Sequence, residues 1–194
     1  MSRLIAFEGG DASGKSTQAA LLAGRLGAVL TREPGGTAVG ERVRDLLLDP
    51  ALVDLDPRAE ALFMAAARAQ HVAEVIRPAL DEGRDVVTDR YADSSLAYQG
   101  FGRGLDVEAV RALSAFATGD LWPDVVVLLD VPDDVARQRL GVLDRFEAAG
   151  EDFHRRVVDG FRALAEADPG RWAVVSGVGS VDEVAERVWQ AVGA

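Results

Sequence analysis

The chain contains no cysteine and only two histidines, His71 and His154. The first absence removes disulfides, thiolate metal sites and cysteine nucleophiles, and the second removes a histidine-rich metal centre. No apolar run approaches the ~20 residues of a membrane span. The first strand-like run follows Met1 without a signal-peptide core, so the cytoplasm is the expected compartment. Lysine is almost missing as well. Of 21 basic residues only Lys15 is a lysine, so this position has a requirement that guanidinium does not meet. A compact ammonium on a flexible stem suits a tight phosphate cradle, whereas a planar fork is wider and seeks bidentate partners.

What is abundant is negative charge. With 32 acidic residues the net charge is −11, which opposes generic binding to nucleic acid or to an anionic membrane surface. An anionic substrate must therefore be held by a local cluster of arginines. The length of 194 residues suits one domain, 1–194, able to bury roughly 70% of the surface of its unfolded chain.

Lys15 lies in Gly9-Gly10-Asp11-Ala12-Ser13-Gly14-Lys15-Ser16, a full match to the phosphate-loop pattern. Its flanks fit. Arg3 to Phe7 reads as a buried strand, and Ser16-Thr17 opens a segment with apolar residues at helical spacing. Strand, loop and helix in that order aim backbone N–H groups and a helix N-terminus at one anion, with Lys15 along β- and γ-phosphates and Ser16 as a ligand for Mg²⁺.

Further along, β-branched or apolar runs at 28–31, 85–89, 124–130 and 172–175 alternate with helical patterns at 38–48, 57–82, 107–118, 133–140, 150–167 and 181–192. The alternation predicts an α/β fold, a parallel sheet of about five strands with helices on both faces and ligands at the carboxyl ends of the strands. Two strands end in aspartate. Asp130 precedes Val131-Pro132-Asp133-Asp134, an ordinary helix-start arrangement, while Asp89 precedes Arg90-Tyr91 and is the better metal-side residue. His71 and His154 are expected at the surface or as caps, and Trp122, Trp172 and Trp189 as packing residues.

Phe7-Glu8-Gly9, Thr31-Arg32-Glu33-Pro34-Gly35-Gly36-Thr37, Asp89-Arg90-Tyr91 with Ser94-Ser95-Leu96-Ala97-Tyr98-Gln99-Gly100, and Leu143-Asp144-Arg145-Phe146-Glu147 resemble, in order and spacing, the motifs of the bacterial thymidylate kinases. The resemblance spans essentially the whole chain. It implies a P-loop nucleoside monophosphate kinase fold, ATP-dependent phosphorylation of dTMP to dTDP with Mg²⁺, and a homodimer. It further implies that Arg90 grips the acceptor phosphate and that Asp11 lies between donor and acceptor. Arg68 would read the thymine edge, with Glu33, Pro34, Ser95, Tyr98 and Gln99 around the acceptor. A short lid at about 136–148 would supply Arg139 and Arg145 to the transferred phosphate and bring Phe146 and Glu147 to the nucleotide sugar.

Three departures from the family pattern bear on particular residues. The stacking aromatic expected four residues before Arg68 is Met64, whose thioether can pack on a π-face, with Phe63 beside it as core. The phosphate loop carries Ala12 and Ser13 where some members have arginine, which leaves that charge to the lid. Ser176-Gly177 stands where relatives have an Asp-Ala step beside the adenine. The alternatives are another nucleoside or nucleotide kinase, or a P-loop ATPase or GTPase switch; guanine recognition through Asn-Lys-x-Asp needs a second lysine, which the chain lacks.

Overall fold

A computed structural model describes residues 1–52, 54–132, 135–136, 145–146 and 149–193. At its centre is β1 (Leu4–Glu8), buried along its whole length. A strand apolar on both faces belongs between two helical layers. Strand β1 pairs in parallel with β3 (Val86–Asp89) on one side and β4 (Val125–Asp130) on the other. Adding β2 (Val29–Arg32) beside β3 and β5 (Trp172–Ser176) beside β4 gives the order β2-β3-β1-β4-β5, every pair parallel. The α/β class and the five-stranded parallel sheet are as the sequence pattern predicts.

Alternate β1 side chains enter different cores. Ile5 and Phe7 pack with Leu22 of α1 (Lys15–Leu26) and Val188 of α8 (Val181–Val192). Leu4 and Ala6 face the opposite way, onto Val72, Ile76 and Tyr91. A third cluster joins Leu47 of α2 (Ala38–Leu48) to Leu96, Phe153 and Phe161. Helix α8 starts on a capping box between Ser180 and Glu183, as its acid-rich first turn suggests.

The helix expected over 57–82 is interrupted. Helix α3 (Pro57–His71) passes through a wide, π-type turn at Val72–Ile76 into α4 (Arg77–Asp81). Pro78 explains the widening, because it has no N–H to donate and its ring would meet the carbonyl four residues back. A second wide turn, Leu96–Gly102, follows α5 (Ala92–Ser95), a segment that periodicity left as motif only. Helices α6 (Val107–Thr118) and α7 (Glu151–Ala167) lie where expected. The helix expected at 133–140 falls largely outside the described residues.

Because β2, β3 and β1 are neighbours, the loops at their carboxyl ends converge: Glu33 to Thr37, Asp89 with Arg90, and the phosphate loop. Among the described residues no helix is long and apolar enough to cross a membrane.

Candidate active site

The phosphate loop leaves β1 at Gly9, which has φ +140° and where an added Cβ would lie 2.7 Å from the Leu129 carbonyl oxygen. Only glycine fits so close to a neighbouring strand. Lys15 is buried, its Nζ donating to the Gly10 carbonyl at 2.6 Å and to Ser13 Oγ at 3.2 Å. Burial, helped by the nearby Arg90 charge, brings the ammonium down to about 8 against the opposing pull of Asp11 and Asp89. Ser16 Oγ donates to Asp89 Oδ2. The other oxygen, Asp89 Oδ1, is buried without a hydrogen bond among the described residues, and so is Asp11 Oδ2. The orphaned Asp89 oxygen and the Ser16 hydroxyl are donors a hard divalent cation takes when substrate phosphates and water complete its shell, with the Asp11 carboxylate as an acceptor for water on that ion. The predicted Mg²⁺ residues fit that ion.

Arg90 stands at φ +69°, a conformation a non-glycine residue holds only under constraint. The constraint is visible. Its Nη1 donates to Gly9 O at 3.1 Å and Ser94 Oγ at 3.2 Å, and its Nη2 to Asp11 Oδ1 at 2.6 Å and Tyr98 Oη at 2.9 Å. Tyr98 in turn donates to Asp11 Oδ1 at 3.0 Å. Burial alone would raise the Asp11 carboxyl, but Arg90, Lys15, the Tyr98 hydrogen bond and His154 outweigh it and hold the group below its ordinary range. Burial pushes the Tyr98 phenol well up, so it stays a donor. Behind Arg90, fully buried Glu8 accepts from the Tyr91 and Ser94 amides at 2.9 and 3.1 Å and contacts Ser94 Oγ at 2.5 Å. Burial and the neighbouring Asp93 raise the Glu8 carboxyl to about 7. Glu8 thereby fixes the loop that carries Arg90.

A second buried network forms the far wall. Glu33, whose peptide bond to Pro34 is cis, accepts from Arg68 Nε at 2.7 Å and pairs with His71 Nδ1 at 2.9 Å. His71 Nε2 meets Thr31 Oγ1 at 2.6 Å. Arg68 also donates to the Tyr91 carbonyl at 3.2 Å, Ser95 Oγ at 3.0 Å and, more weakly, Ser114 Oγ at 3.4 Å. With five N–H groups in a guanidinium, these partners leave one on Nη1 for a ligand. His71 is fully buried, which corrects the expectation of a surface or capping residue: the long-range pairing with Glu33 and Thr31 satisfies both ring nitrogens. Gly36, at φ +77°, is needed there, since a Cβ would come within 2.9 Å of the His71 ring and of Thr31 Oγ1.

The two networks enclose one cleft of about 290 Å³. Asp11, Ala12, Lys15, Ser16 and Asp89 line its phosphate end; Glu33, Pro34, Met64 and Arg68 form one wall; Arg90, Ser95, Tyr98, Gln99 and Phe146 form the other. A concave site with a cationic floor and an arginine-carboxylate wall is built for a phosphorylated ligand with a polar ring.

A model of the thymidylate kinase family matches residues 7–188. This chain belongs to the thymidylate kinase family. A thymidylate kinase of Synechococcus sp. (strain JA-2-3B'a(2-13)) is 50% identical over 195 residues, covering 97% of this chain and 93% of the relative. The thymidylate kinase of Deinococcus radiodurans is 48% identical, covering 97% and 95%. The crystal structure of thymidylate kinase from Ehrlichia chaffeensis superposes with a TM-score of 0.82 at 36% identity, covering 97% of both chains.

Placed in this thymidylate kinase fold, the remaining predicted residues divide. Gly9, Gly10, Ser13, Gly14 and Thr17 build the phosphate loop and first helical turn without lining the cleft. Met64 faces the cleft, while Phe63 is half-buried against the third core. Phe146 meets the Tyr98 ring edge-on at 5.9 Å. Arg145 is held elsewhere: its Nη1 pairs with Glu60 at 2.7 Å and its Nε with the Leu47 carbonyl at 2.7 Å, on the acceptor side of the fold. Arg139 and Glu147 lie outside the described residues. His154, expected at the surface or as a cap, is instead partly buried with Nδ1 3.9 Å from Asp11 Oδ2.

Sequence reasoning missed several lining and supporting residues. Arg44 and Leu48 line the cleft from α2, and Arg44 donates to the Pro34 carbonyl at 3.0 Å. Their spacing of four on one helix face was the available signal. Glu60, fully buried, accepts from Gln99 at 2.9 Å and pairs with Arg103 at 3.1 Å as well as Arg145. A lone glutamate inside an alanine-rich helix gives no local sign of such a role.

Proposed function

We propose that this chain is an ATP-dependent dTMP kinase that forms dTDP by in-line phosphoryl transfer, with the phosphate-loop residues 9–17 holding the donor and the Arg90 side of the cleft holding the acceptor. The observation that carries the reading is the Arg90-Asp11-Tyr98 cluster, set by Glu8 directly beside Lys15. Phosphoryl transfer needs two phosphates aligned and their charge neutralised more than it needs covalent help. Lys15 neutralises the donor phosphates. Arg90, pre-organised by protein acceptors, exchanges its Asp11 contact for the acceptor phosphate. Asp11, held as a carboxylate, occupies the junction between the two. Ser16 and Asp89, with Asp11, would hold Mg²⁺, which supplies charge neutralisation across the donor phosphates.

At the base end Arg68 offers its one remaining Nη1 proton to a carbonyl of the ring, with Glu33 fixing the guanidinium and Ser95 and Gln99 flanking it. Met64 supplies the apolar face and Tyr98 packs under the sugar. Arg139 supplies lid charge to the transferred group and Phe146 and Glu147 close over the sugar, within one domain, 1–194, whose lid spans about 136–148. Arg145 serves the lid from its anchored position. A homodimer is supported by large apolar side chains left exposed on two helices that contact each other: Phe116 of α6 is 87% exposed and Leu62 of α3 58%. Burying these side chains against the same residues of a second copy would make a self-complementary contact. A soluble cytoplasmic enzyme accords with the acidic surface.

The test is a coupled ADP-release assay across dTMP, dUMP, dCMP, dGMP and thymidine. The reading expects dTMP to support the highest kcat/KM; equal or higher efficiency with another acceptor would overturn it.

A further inference from the structure

Asp11 presents two unlike oxygens. Oδ1 carries both Arg90 and Tyr98, whereas Oδ2 is buried without a hydrogen bond among the described residues. Facing Oδ2 is the imidazole of His154, with Nδ1 3.9 Å away. We infer that His154 is a positioning residue for phosphoryl transfer, holding the Asp11 carboxylate through Oδ2 when the phosphates of the two substrates draw Arg90 and Lys15 away from it.

The inference rests on the dTMP kinase reading and follows from donor arithmetic. All four Nη protons of Arg90 are spent on Gly9, Ser94, Asp11 and Tyr98, so an acceptor phosphate gains a bidentate grip only at the expense of protein acceptors. Asp11 is the one anionic partner of these four, so an incoming phosphate both competes with it for Arg90 and repels it. Lys15, the other cation facing Asp11, turns to the donor phosphates. Tyr98 then remains on Oδ1, and one hydrogen bond lets a carboxylate swing about its own axis. A donor at Oδ2 stops that rotation. Closing 3.9 Å to hydrogen-bond range takes a ring movement of under about 1 Å.

The helix that carries His154 is fixed against the site. Arg156 of α7 donates twice to the Gly102 carbonyl, at 3.1 and 2.7 Å. Gly102 and Gly160 let the chains close: a Cβ on the first would lie 2.7 Å from the Phe153 ring, and on the second 2.7 Å from Phe101. One turn on from His154, Val158 lies 3.6 Å from the position a Gly10 Cβ would take, so the same helix face also covers the phosphate loop. The His154 ring packs edge-on against Phe153 at 5.4 Å. The arrangement thus supplies an imidazole N–H donor at the junction, at Oδ2 of Asp11, while Arg90 holds Oδ1.

A double-mutant cycle tests this. His154→Ala is expected to lower kcat at least about fivefold with the KM for dTMP within about twofold, and His154→Asn, whose amide nitrogen falls near Nδ1, to restore most of the loss. In an Asp11→Asn background, measured by single-turnover formation of dTDP, His154→Ala is expected to add less than about twofold. A role in packing alone would give the same fold-loss in both backgrounds. That additivity, or an unchanged kcat in the single variant, would overturn the inference while leaving dTMP phosphorylation by the parent protein intact. A parent protein that makes no dTDP would overturn the reading of function, and this inference with it.

Discussion

Replacing Glu60 by alanine removes the carboxylate on which two arginines converge. Glu60 is fully buried, with Arg145 8% and Arg103 21% exposed at the side chain. The two arginines respond differently. Arg103 can turn towards water, whereas Arg145 stays buried, and among the described residues its Nη2 lacks a hydrogen bond and only the Leu47 carbonyl is left on Nε. An uncompensated buried charge of this kind costs about 3–5 kcal/mol. For a domain of this size each kcal/mol moves Tm by about 2–4 °C, so the expected fall is about 6–20 °C. Urea and thermal unfolding monitored by circular dichroism measure it. Adding Arg145→Met to Glu60→Ala removes the stranded charge and should recover at least about 1 kcal/mol relative to the sum of the single effects. A Glu60→Ala protein within about 1 kcal/mol of the parent, or strict additivity, would refute the argument that this carboxylate holds Arg145 in place.

Arg90→Ala takes away a charge-assisted contact worth about 1.5–3 kcal/mol, so kcat/KM for dTMP should fall at least tenfold, about 10–150-fold, in steady-state kinetics; unchanged kinetics would remove Arg90 from the acceptor site. Met64→Phe should bind dTMP as tightly or more tightly by calorimetry, since an aromatic face replaces a thioether on the same wall, and weaker binding would contradict that placement of α3. Glu8 gives a pH prediction. Its carboxyl lies near 4.5 when unfolded and about 7 when folded, so between those values the native state binds the extra proton and stability falls as pH rises. Below about 4.5 the contribution is fully retained. Glu8→Gln keeps an acceptor for the Tyr91 and Ser94 amides and should flatten that decline, worth at most about 3 kcal/mol; an equally steep decline would assign it to another group.

The sheet was legible because its signals are local. Each strand is a run of apolar residues bounded by glycine or charge, and the phosphate loop declares itself in eight residues. What escaped notice depends on distant partners. Segment 92–102 is rich in serine and glycine and has little helical periodicity; it is fixed in part by Glu8, which accepts from the amides of Tyr91 and Ser94 more than eighty positions away in the chain. His71 looked like a surface residue because nothing beside it in the sequence shows that Glu33 and Thr31 meet its two nitrogens. Arg145 matched a lid motif, and the motif alone does not distinguish a guanidinium aimed at a phosphate from one pinned to Glu60. Of the acceptor side, Arg90 and Tyr98 were legible from the Asp89-Arg90-Tyr91 block, while the supporting carboxylates Glu8 and Glu60 were not.

The most direct test of the account follows the γ-phosphoryl group itself. With γ-labelled ATP, Mg²⁺ and dTMP, the label is expected to appear in dTDP, with little inorganic phosphate when dTMP is omitted, and Lys15→Ala is expected to abolish the transfer. Label released as inorganic phosphate at the same rate with or without dTMP would contradict it.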